Sequence, residues 1–146
     1  MIPVLQAENI ILDVEVHAKE EAIKLAGQVL VQKGYVNEKY IDFMLQREED
    51  MSTYVGNHLA VPHGIRGSEA EIKTSGISII QIPKGVSFGE DMTAYVVIGI
   101  AGKDGAHLDI ISSIAIICSE KENVSKIRKA RTQEEVLSIF AEFQEK

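Results

Sequence analysis

Apolar residues recur every three or four positions in five segments of this chain, with polar residues between them. This spacing places the apolar side chains on one face of a helix, so each segment is predicted to be helical. The segments are residues 18–33, 37–51, 104–118, 123–129 and 132–143. Asn37 and Asp104 are favourable N-cap residues, Gly34 suits a helix C-terminus, and Thr132 with Glu135 has the spacing of a capping box.

Short runs rich in β-branched residues predict the strands between these helices. The runs are residues 9–12, 59–61, 75–82 and 94–101. The last is almost continuously apolar, which is typical of a central strand buried on both faces. A turn is expected at Pro83-Lys84-Gly85. Helices precede and follow the strands, so the expected fold is an α/β sandwich with a mixed sheet flanked by helices, in a single domain over residues 1–146.

Composition narrows the class of protein. The chain has 146 residues, a net charge of -7 and a single cysteine, Cys118. The negative charge argues against general binding of nucleic acid or anionic membranes, since both need a basic face. One cysteine cannot form an internal disulfide and fits a reducing compartment. There is no signal-peptide pattern and no apolar run near the ~20 residues that cross a bilayer, so a cytoplasmic location is expected.

His63 lies at the end of the segment Gly56-Asn57-His58-Leu59-Ala60-Val61-Pro62-His63-Gly64. Proline before it restricts the backbone, and glycine after it permits a sharp turn. A neutral imidazole held on such a turn is a nucleophile near physiological pH and can carry a covalent group on one ring nitrogen. The alternative interpretation is an ordinary turn histidine.

Two further residues could join His63. Arg47 borders the apolar face near the end of the second predicted helix, where it either answers the helix dipole, pairs with a neighbouring glutamate, or serves a site. His107 lies in the first turn of the helix predicted over 104–118, as an anion ligand or as a core-edge histidine bonded to a carbonyl. Two imidazoles and a permanent cation suit a phosphoryl group, whose transfer needs positioning and charge neutralisation.

Other chemistries have weaker support. A zinc site of His58, His63 and His107 is conceivable, but it lacks a compact ligand motif, so no metal and no cofactor are expected. The segment Gly85-Val86-Ser87-Phe88-Gly89 matches the elbow of serine hydrolases, yet a second strand rather than a helix follows it, and we reject that interpretation. Cys118 lies on an apolar helical face and is expected to be an inert packing thiol.

Motifs over nearly the whole chain resemble a known family. They are Arg47-Glu48-Glu49, Ser52-Thr53, Gly56-Asn57, Ala60-Val61-Pro62-His63-Gly64, Gly85-Val86, and Ile100-Ala101 through His107-Leu108. In this order they are similar to the enzyme IIA component of the phosphoenolpyruvate-dependent sugar phosphotransferase system, in the mannitol/fructose class and its mannitol branch.

The resemblance implies a function, a fold and site residues. His63 would take phosphate on Nε2 from the phosphohistidine of HPr and pass it to a cysteine of enzyme IIB, or of the IICB permease, for mannitol uptake. Arg47 and His107 would neutralise and hydrogen-bond the phosphoryl group, and Asn57 would help to orient the site. The membrane would be reached only through the permease. The family fold is a mixed sheet flanked by helices.

Two alternatives remain open at this point. The nitrogen-related regulatory enzyme IIA carries the same histidine and acts by binding proteins according to its phosphorylation state. A zinc hydrolase that uses the histidines is the other. His58 stands where many relatives have a small or apolar residue, and we expect it to face solvent.

Overall fold

Five strands and five helices make up the described part of the chain, which comprises residues 3 and 5–141 of a computed structural model. The strands are β1 (Ile10–Ile11), β2 (Tyr54–Gly56), β3 (Leu59–Ala60), β4 (Gly76–Gly89) and β5 (Met92–Ala101). The helices are α1 (Lys19–Gln32), α2 (Tyr40–Asp50), α3 (His107–Cys118), α4 (Lys121–Lys129) and α5 (Gln133–Phe140). Short 3-10 turns lie at Ala7–Asn9, Ser68–Glu71 and Lys103–Gly105.

The strands form one mixed sheet in the order β1-β4-β5-β3-β2. The long strands β4 and β5 pair antiparallel at its centre, and β1 and β3 run parallel to them on either side. β2 closes one edge as the antiparallel partner of β3. The mixed sheet and the central position of the 94–101 strand are confirmed.

Alternating side chains of the sheet build two cores. On β5, Val96, Ile98 and Ile100 pack beneath α3, α4 and α5. Val97 and Ala101 face the opposite way, toward α1 and α2. Because successive residues of a strand point to opposite faces, an apolar residue at nearly every position requires a layer of helices on both sides. The predicted sandwich of a sheet between helices is therefore confirmed.

Two helices begin later than the sequence predicts. Asn37 is not an N-cap, because its side-chain amide donates to Glu71 Oε2 at 3.1 Å and α2 starts at Tyr40. Asp104 adopts a left-handed backbone (φ 56°) in a 3-10 turn, and α3 starts three residues later. Thr132 is confirmed as an N-cap, since its hydroxyl accepts from the Glu135 N–H.

The prediction of a turn at Pro83-Lys84-Gly85 is wrong. β4 continues through this segment to Gly89, and only its register against β5 shifts, between Gln81 and Val86. Proline has no N–H to donate, which suits it to an interruption of a ladder as well as to a turn. The chain reverses at residues 90–91 instead. Phe143, predicted as the end of the last helix, lies outside the described residues.

None of the helices within residues 5–141 has the length and apolar character that a membrane-spanning helix requires.

A two-residue turn joins β2 to β3, and both of its residues have a left-handed backbone. Asn57 has φ 52° and His58 has φ 62°. This combination matches the twist of a hairpin and is usually met by Asn-Gly. Asparagine tolerates the conformation, whereas a histidine in the second position carries a steric cost that glycine would not.

We predict that His58→Gly is more stable than His58→Ala by about 0.5–1 kcal/mol, because the left-handed cost to a Cβ exceeds the extra chain entropy of glycine. Both variants lose the imidazole, so their difference isolates the backbone term. Urea unfolding of the two proteins measures it. Equal midpoints, or a more stable alanine variant, would show that the turn is unstrained.

Candidate functional site

Three residues predicted from the sequence come together at one cavity of about 460 Å³. His63 follows β3, Arg47 lies in the last turn of α2, and His107 is the first residue of α3. The two imidazole rings are roughly stacked, with centroids 6.1 Å apart and planes inclined by 29°. The third predicted residue, Arg47, brings a guanidinium with a permanent positive charge to the same cavity.

The segment that carries His63 is fastened to the end of β5. The Ile100 N–H donates to the Pro62 carbonyl at 2.9 Å. The Tyr40 hydroxyl donates to the Ile100 carbonyl and accepts from the Gly64 N–H, both at 2.8 Å. A Cβ on Gly64 would approach a ring carbon of Tyr40 to 2.6 Å, so only glycine permits this packing. The backbone on both sides of the imidazole is therefore held by hydrogen bonds.

The two ring nitrogens of His63 differ in protonation. Nδ1 lies 2.8 Å from the Val61 carbonyl oxygen, which can only accept, so Nδ1 carries the proton of the neutral ring and donates it. Nε2 is then the nitrogen with the lone pair. The geometry thus selects Nε2 as the nucleophilic atom.

The surroundings of His63 favour its neutral form. Burial is the largest cause that lowers its pKa below the ordinary value of 6.5, and the positive charge of Arg47 and the His107 ring lower it further. The Val61 carbonyl and the Glu48 carboxylate act in the opposite direction without outweighing these causes. His63 therefore keeps its Nε2 lone pair to a lower pH than an exposed histidine.

Arg47 is placed by the end of its helix. Its Nη1 donates to the Met51 carbonyl, immediately after α2. The alternative in which it pairs with Glu48 is wrong, because that carboxylate accepts from the Thr53 N–H and hydroxyl and pairs with Lys19 at 3.2 Å. Burial would raise the pKa of Glu48, but the hydrogen bonds it accepts outweigh burial and lower that pKa below 4.5.

His107 reaches the cavity because the start of α3 packs tightly against Gly102. A Cβ on this glycine would lie 2.1 Å from the His107 backbone nitrogen, so no other residue allows the approach. The first N–H groups of a helix have no partner within the helix and attract anions. The start of α3 borders the cavity, and its imidazole lies against the His63 ring.

Sequence reasoning missed several residues of the cavity, among them Tyr40 and Arg66. Tyr40 was not among the predicted site residues, although its hydroxyl holds the His63 segment. Arg66, exposed three residues after His63, adds a second guanidinium to the lining. The proximity of Arg66 to His63 in the chain was a usable signal, whereas the two bonds of Tyr40 depend on contacts between distant segments. Leu108, 66% exposed, forms an apolar part of the rim.

Asn57 and His58 do not line this cavity. Asn57 Nδ2 donates to the Cys118 carbonyl at 3.1 Å and the Ser119 carbonyl at 3.2 Å, which ties the β2–β3 turn to the end of α3. His58 is exposed, as expected, and its Nδ1 lies 2.9 Å from the Thr93 carbonyl oxygen. Asn57 is thus brought to the helix end rather than to His63.

The remaining chemistries have no geometric support. Across residues 5–141, no three His, Cys, Asp or Glu side chains are close enough together to hold a metal ion, so the histidines do not form a zinc site. Residues 85–89 belong to β4 and lead into a hairpin, not a strand–helix elbow. Cys118 is buried, and burial raises its pKa to about 12, which leaves it protonated and inert.

Comparison with known proteins identifies the family of this chain. Residues 3–143 match the family described as phosphoenolpyruvate-dependent sugar phosphotransferase system, EIIA 2. The mannitol-specific phosphotransferase enzyme IIA component of Bacillus subtilis (strain 168) is 56% identical over 139 residues, which is 95% of this chain and 97% of that protein. Enzyme IIA mannitol of Escherichia coli, solved in complex with phosphorylated enzyme IIB mannitol, superposes with a TM-score of 0.93 at 36% identity, covering 97% of this chain and 99% of that one.

The fold and the site therefore define a phosphotransferase-system component of the enzyme IIA class. The chain belongs to the EIIA 2 family, in its mannitol branch, and the resemblance seen in the sequence is confirmed. The nitrogen regulatory protein IIA-Ntr of Neisseria meningitidis has a TM-score of 0.77 at 22% identity, covering 93% of this chain and 95% of that one, and shares the fold alone.

Tyr40→Phe is expected to destabilise the protein by about 1–3 kcal/mol, because it leaves the Ile100 carbonyl and the Gly64 N–H without their shared partner. Chemical denaturation measures the loss. Tyr54→Phe is a matched control, since its hydroxyl accepts only from an exposed backbone N–H, that of His58, and water can replace it. A Tyr40 variant as stable as this control would contradict the role of the hydroxyl.

The pKa of His63 is expected to lie below 6.5 and to rise in Arg47→Gln, because a nearby positive charge disfavours the imidazolium. Titration of the ring followed by NMR measures both values. Since the unfolded chain binds the proton more readily, His63 destabilises the fold as the pH falls through about 6.5. A ring that titrates above 6.5, or is unaffected by the substitution, would contradict this electrostatic account.

Proposed function

We propose that this protein is the phosphoryl carrier for mannitol uptake, with His63 as the acceptor. In the first step, Nε2 attacks the phosphorus of phosphohistidine on HPr, and the donor's N–P bond breaks as the His63 N–P bond forms. In the second step, a cysteine thiolate of enzyme IIB attacks, and an S–P bond replaces the N–P bond of His63. No cofactor is needed, because only the phosphoryl group changes its bond.

The observation that carries this proposal is the hydrogen bond of the imidazole. The Nδ1–H of His63 is committed to the Val61 carbonyl, which leaves Nε2 as the nucleophile, and burial lowers the pKa of His63, which favours this neutral form. Arg47, His107 and the start of α3 surround the position where negative charge would collect. In such a transfer, most of the catalytic effect comes from positioning and charge neutralisation. Asn57 would contribute from a distance, by holding the turn before β3.

The proposed donor and acceptor of the phosphoryl group follow from the family to which the chain belongs. The Escherichia coli structure is of a complex with phosphorylated enzyme IIB, which supports an enzyme IIB domain, free or within a IICB permease, as the acceptor. HPr as the donor, mannitol as the sugar and a cytoplasmic location are proposed from the family and from the mannitol-specific relatives. Contact with the membrane would occur only through the permease.

The test is the intact mass of the protein after incubation with phosphoenolpyruvate, enzyme I and HPr. We expect one acid-labile phosphoryl increment on the wild type and none on a folded His63→Ala variant. Arg47→Gln should be phosphorylated about 100-fold more slowly, the scale of losing one charged donor in a transition state. No increment with active HPr, or an increment on His63→Ala, would contradict the proposal.

Mannitol specificity is tested by the next transfer. Phosphorylated protein should pass its group to the mannitol enzyme IIB faster than to a fructose enzyme IIB. Equal rates would remove mannitol from the proposal while leaving the phosphoryl carrier intact.

A further inference from the structure

A second pocket, of about 400 Å³, lies at the other end of β3 from His63 and shares no lining residue with the cavity described above. One wall is the β2–β3 turn together with Tyr95 of β5. The other is one face of α4, which contributes side chains at the helical spacing i, i+3, i+4 and i+7. These are Lys121, Val124, Ser125 and Arg128.

The guanidinium of Arg128 is held in a fixed orientation at this pocket. Its carbon lies 3.5 Å from the centroid of the Tyr95 ring, and its Nε donates to the Pro83 carbonyl at 3.0 Å. Stacking and a hydrogen bond together fix the plane of the group. The N–H donors of its two terminal nitrogens remain available to a ligand, with little further loss of side-chain entropy on binding.

The turn offers acceptors rather than donors. The side-chain amide nitrogen of Asn57 donates to the Cys118 and Ser119 carbonyls at the end of α3. The atom that its side chain can offer to a ligand is therefore the carbonyl oxygen Oδ1. His58 Nδ1 donates to the Thr93 carbonyl, so the neutral ring keeps Nε2 as an acceptor. Its ring also packs on Tyr95, with centroids 4.8 Å apart.

His58 occupies this place at a steric cost, because its left-handed backbone would suit glycine better. Strained residues are found where the side chain has a role that a relaxed residue cannot fill. The activity at His63 uses neither His58 nor Arg128. The strain therefore points to a role for the imidazole in the second pocket.

The charge of the pocket is positive, on a protein whose net charge is -7. Lys121 and Arg128 bring two cations, and none of the described residues that line it is acidic. Glu122, the nearest acid along α4, pairs with Lys126 at 3.7 Å. A dianion is the ligand that two cations and a serine hydroxyl at one helix face bind best.

We propose that this pocket binds a phosphorylated polyol or sugar, with the phosphate on Lys121, Ser125 and Arg128 and the hydroxyl groups donating to His58 Nε2 and Asn57 Oδ1. The volume exceeds what a bare phosphate needs and lies in the range of small-molecule sites. The ligand thus has an anionic end recognised by α4 and a hydroxyl-bearing end recognised by the turn. This binding site is separate from the phosphoryl acceptor and does not depend on its function.

The test is an NMR titration of the full chain labelled with ¹⁵N, using mannitol 1-phosphate as the probe. We expect saturable shifts at Lys121, Ser125 and the Arg128 Nε–H. Arg128→Gln and Lys121→Gln should each weaken binding about ten-fold or more, the usual effect of removing a charged hydrogen-bond donor. Lys129→Gln is the matched control, because Lys129 lies on the same helix outside the pocket, and it should change the affinity less than two-fold.

The affinities of three further ligands test the phosphate-binding end and the hydroxyl-binding end of the proposed site separately. Mannitol should not bind, and gluconate, which carries a single carboxylate charge, should bind more weakly than mannitol 1-phosphate. Inorganic phosphate should also bind more weakly, and His58→Gly should bring the affinity for mannitol 1-phosphate down toward that of inorganic phosphate. Glycine suits the backbone at residue 58, so this variant remains folded.

Several results would overturn the proposal. They are the absence of a saturable shift, shifts confined to the His63 cavity, binding of mannitol or gluconate as tight as that of the phosphate ester, and equal affinity for inorganic phosphate. Loss of binding in Lys129→Gln equal to that in Lys121→Gln would also overturn it. Lys121→Gln should still be phosphorylated on His63, so failure of this proposal and failure of the phosphoryl-carrier proposal are distinguishable.

Discussion

The hydrogen bond from His63 Nδ1 to the Val61 carbonyl is the interaction on which the rest of the site depends, because it decides which ring nitrogen keeps its lone pair. The Val61 peptide is itself held, since its N–H donates to the Thr53 carbonyl at 2.9 Å. Thr53 in turn is bound through its N–H and hydroxyl by the buried carboxylate of Glu48. A chain of hydrogen bonds thus runs from the end of α2 to the imidazole of His63, and Glu48 helps to position that imidazole without a hydrogen bond to it.

The same surroundings serve both states of His63. Before transfer, burial and the neighbouring Arg47 and His107 disfavour the imidazolium and leave the lone pair free. If His63 takes up a phosphoryl group as proposed, the added group is anionic, and the positive charge of Arg47 together with the N–H groups at the start of α3 would stabilise it. The features that disfavour a proton on His63 are thus the same ones that would favour the proposed phosphoryl group there.

Local pattern was sufficient for the parts of the fold that local chemistry determines. The β5 strand, the α1 helix and the cap at Thr132 follow from apolar spacing and from one side chain bonding to its own helix. Prediction failed where a contact with a distant segment replaces the local structure that a residue would otherwise form. Asn37 has the chemistry of a cap, but Glu71 binds its amide, and Pro83 has the chemistry of a turn, but pairing with β5 carries the strand past it.

The candidate site shows the same division. His63, Arg47 and His107 were identified because their side-chain chemistry and their motifs are visible along the chain. Tyr40 was not, because its role consists of two bonds to segments 24 and 60 residues away. Because β3 is only two residues long, the position of an inserted residue decides whether the site is disturbed. Side chains alternate along a strand, so one residue inserted between Leu59 and Ala60 would exchange the two faces of β3 just before His63. The exposed reversal at residues 90–91, by contrast, can lengthen without moving either pocket.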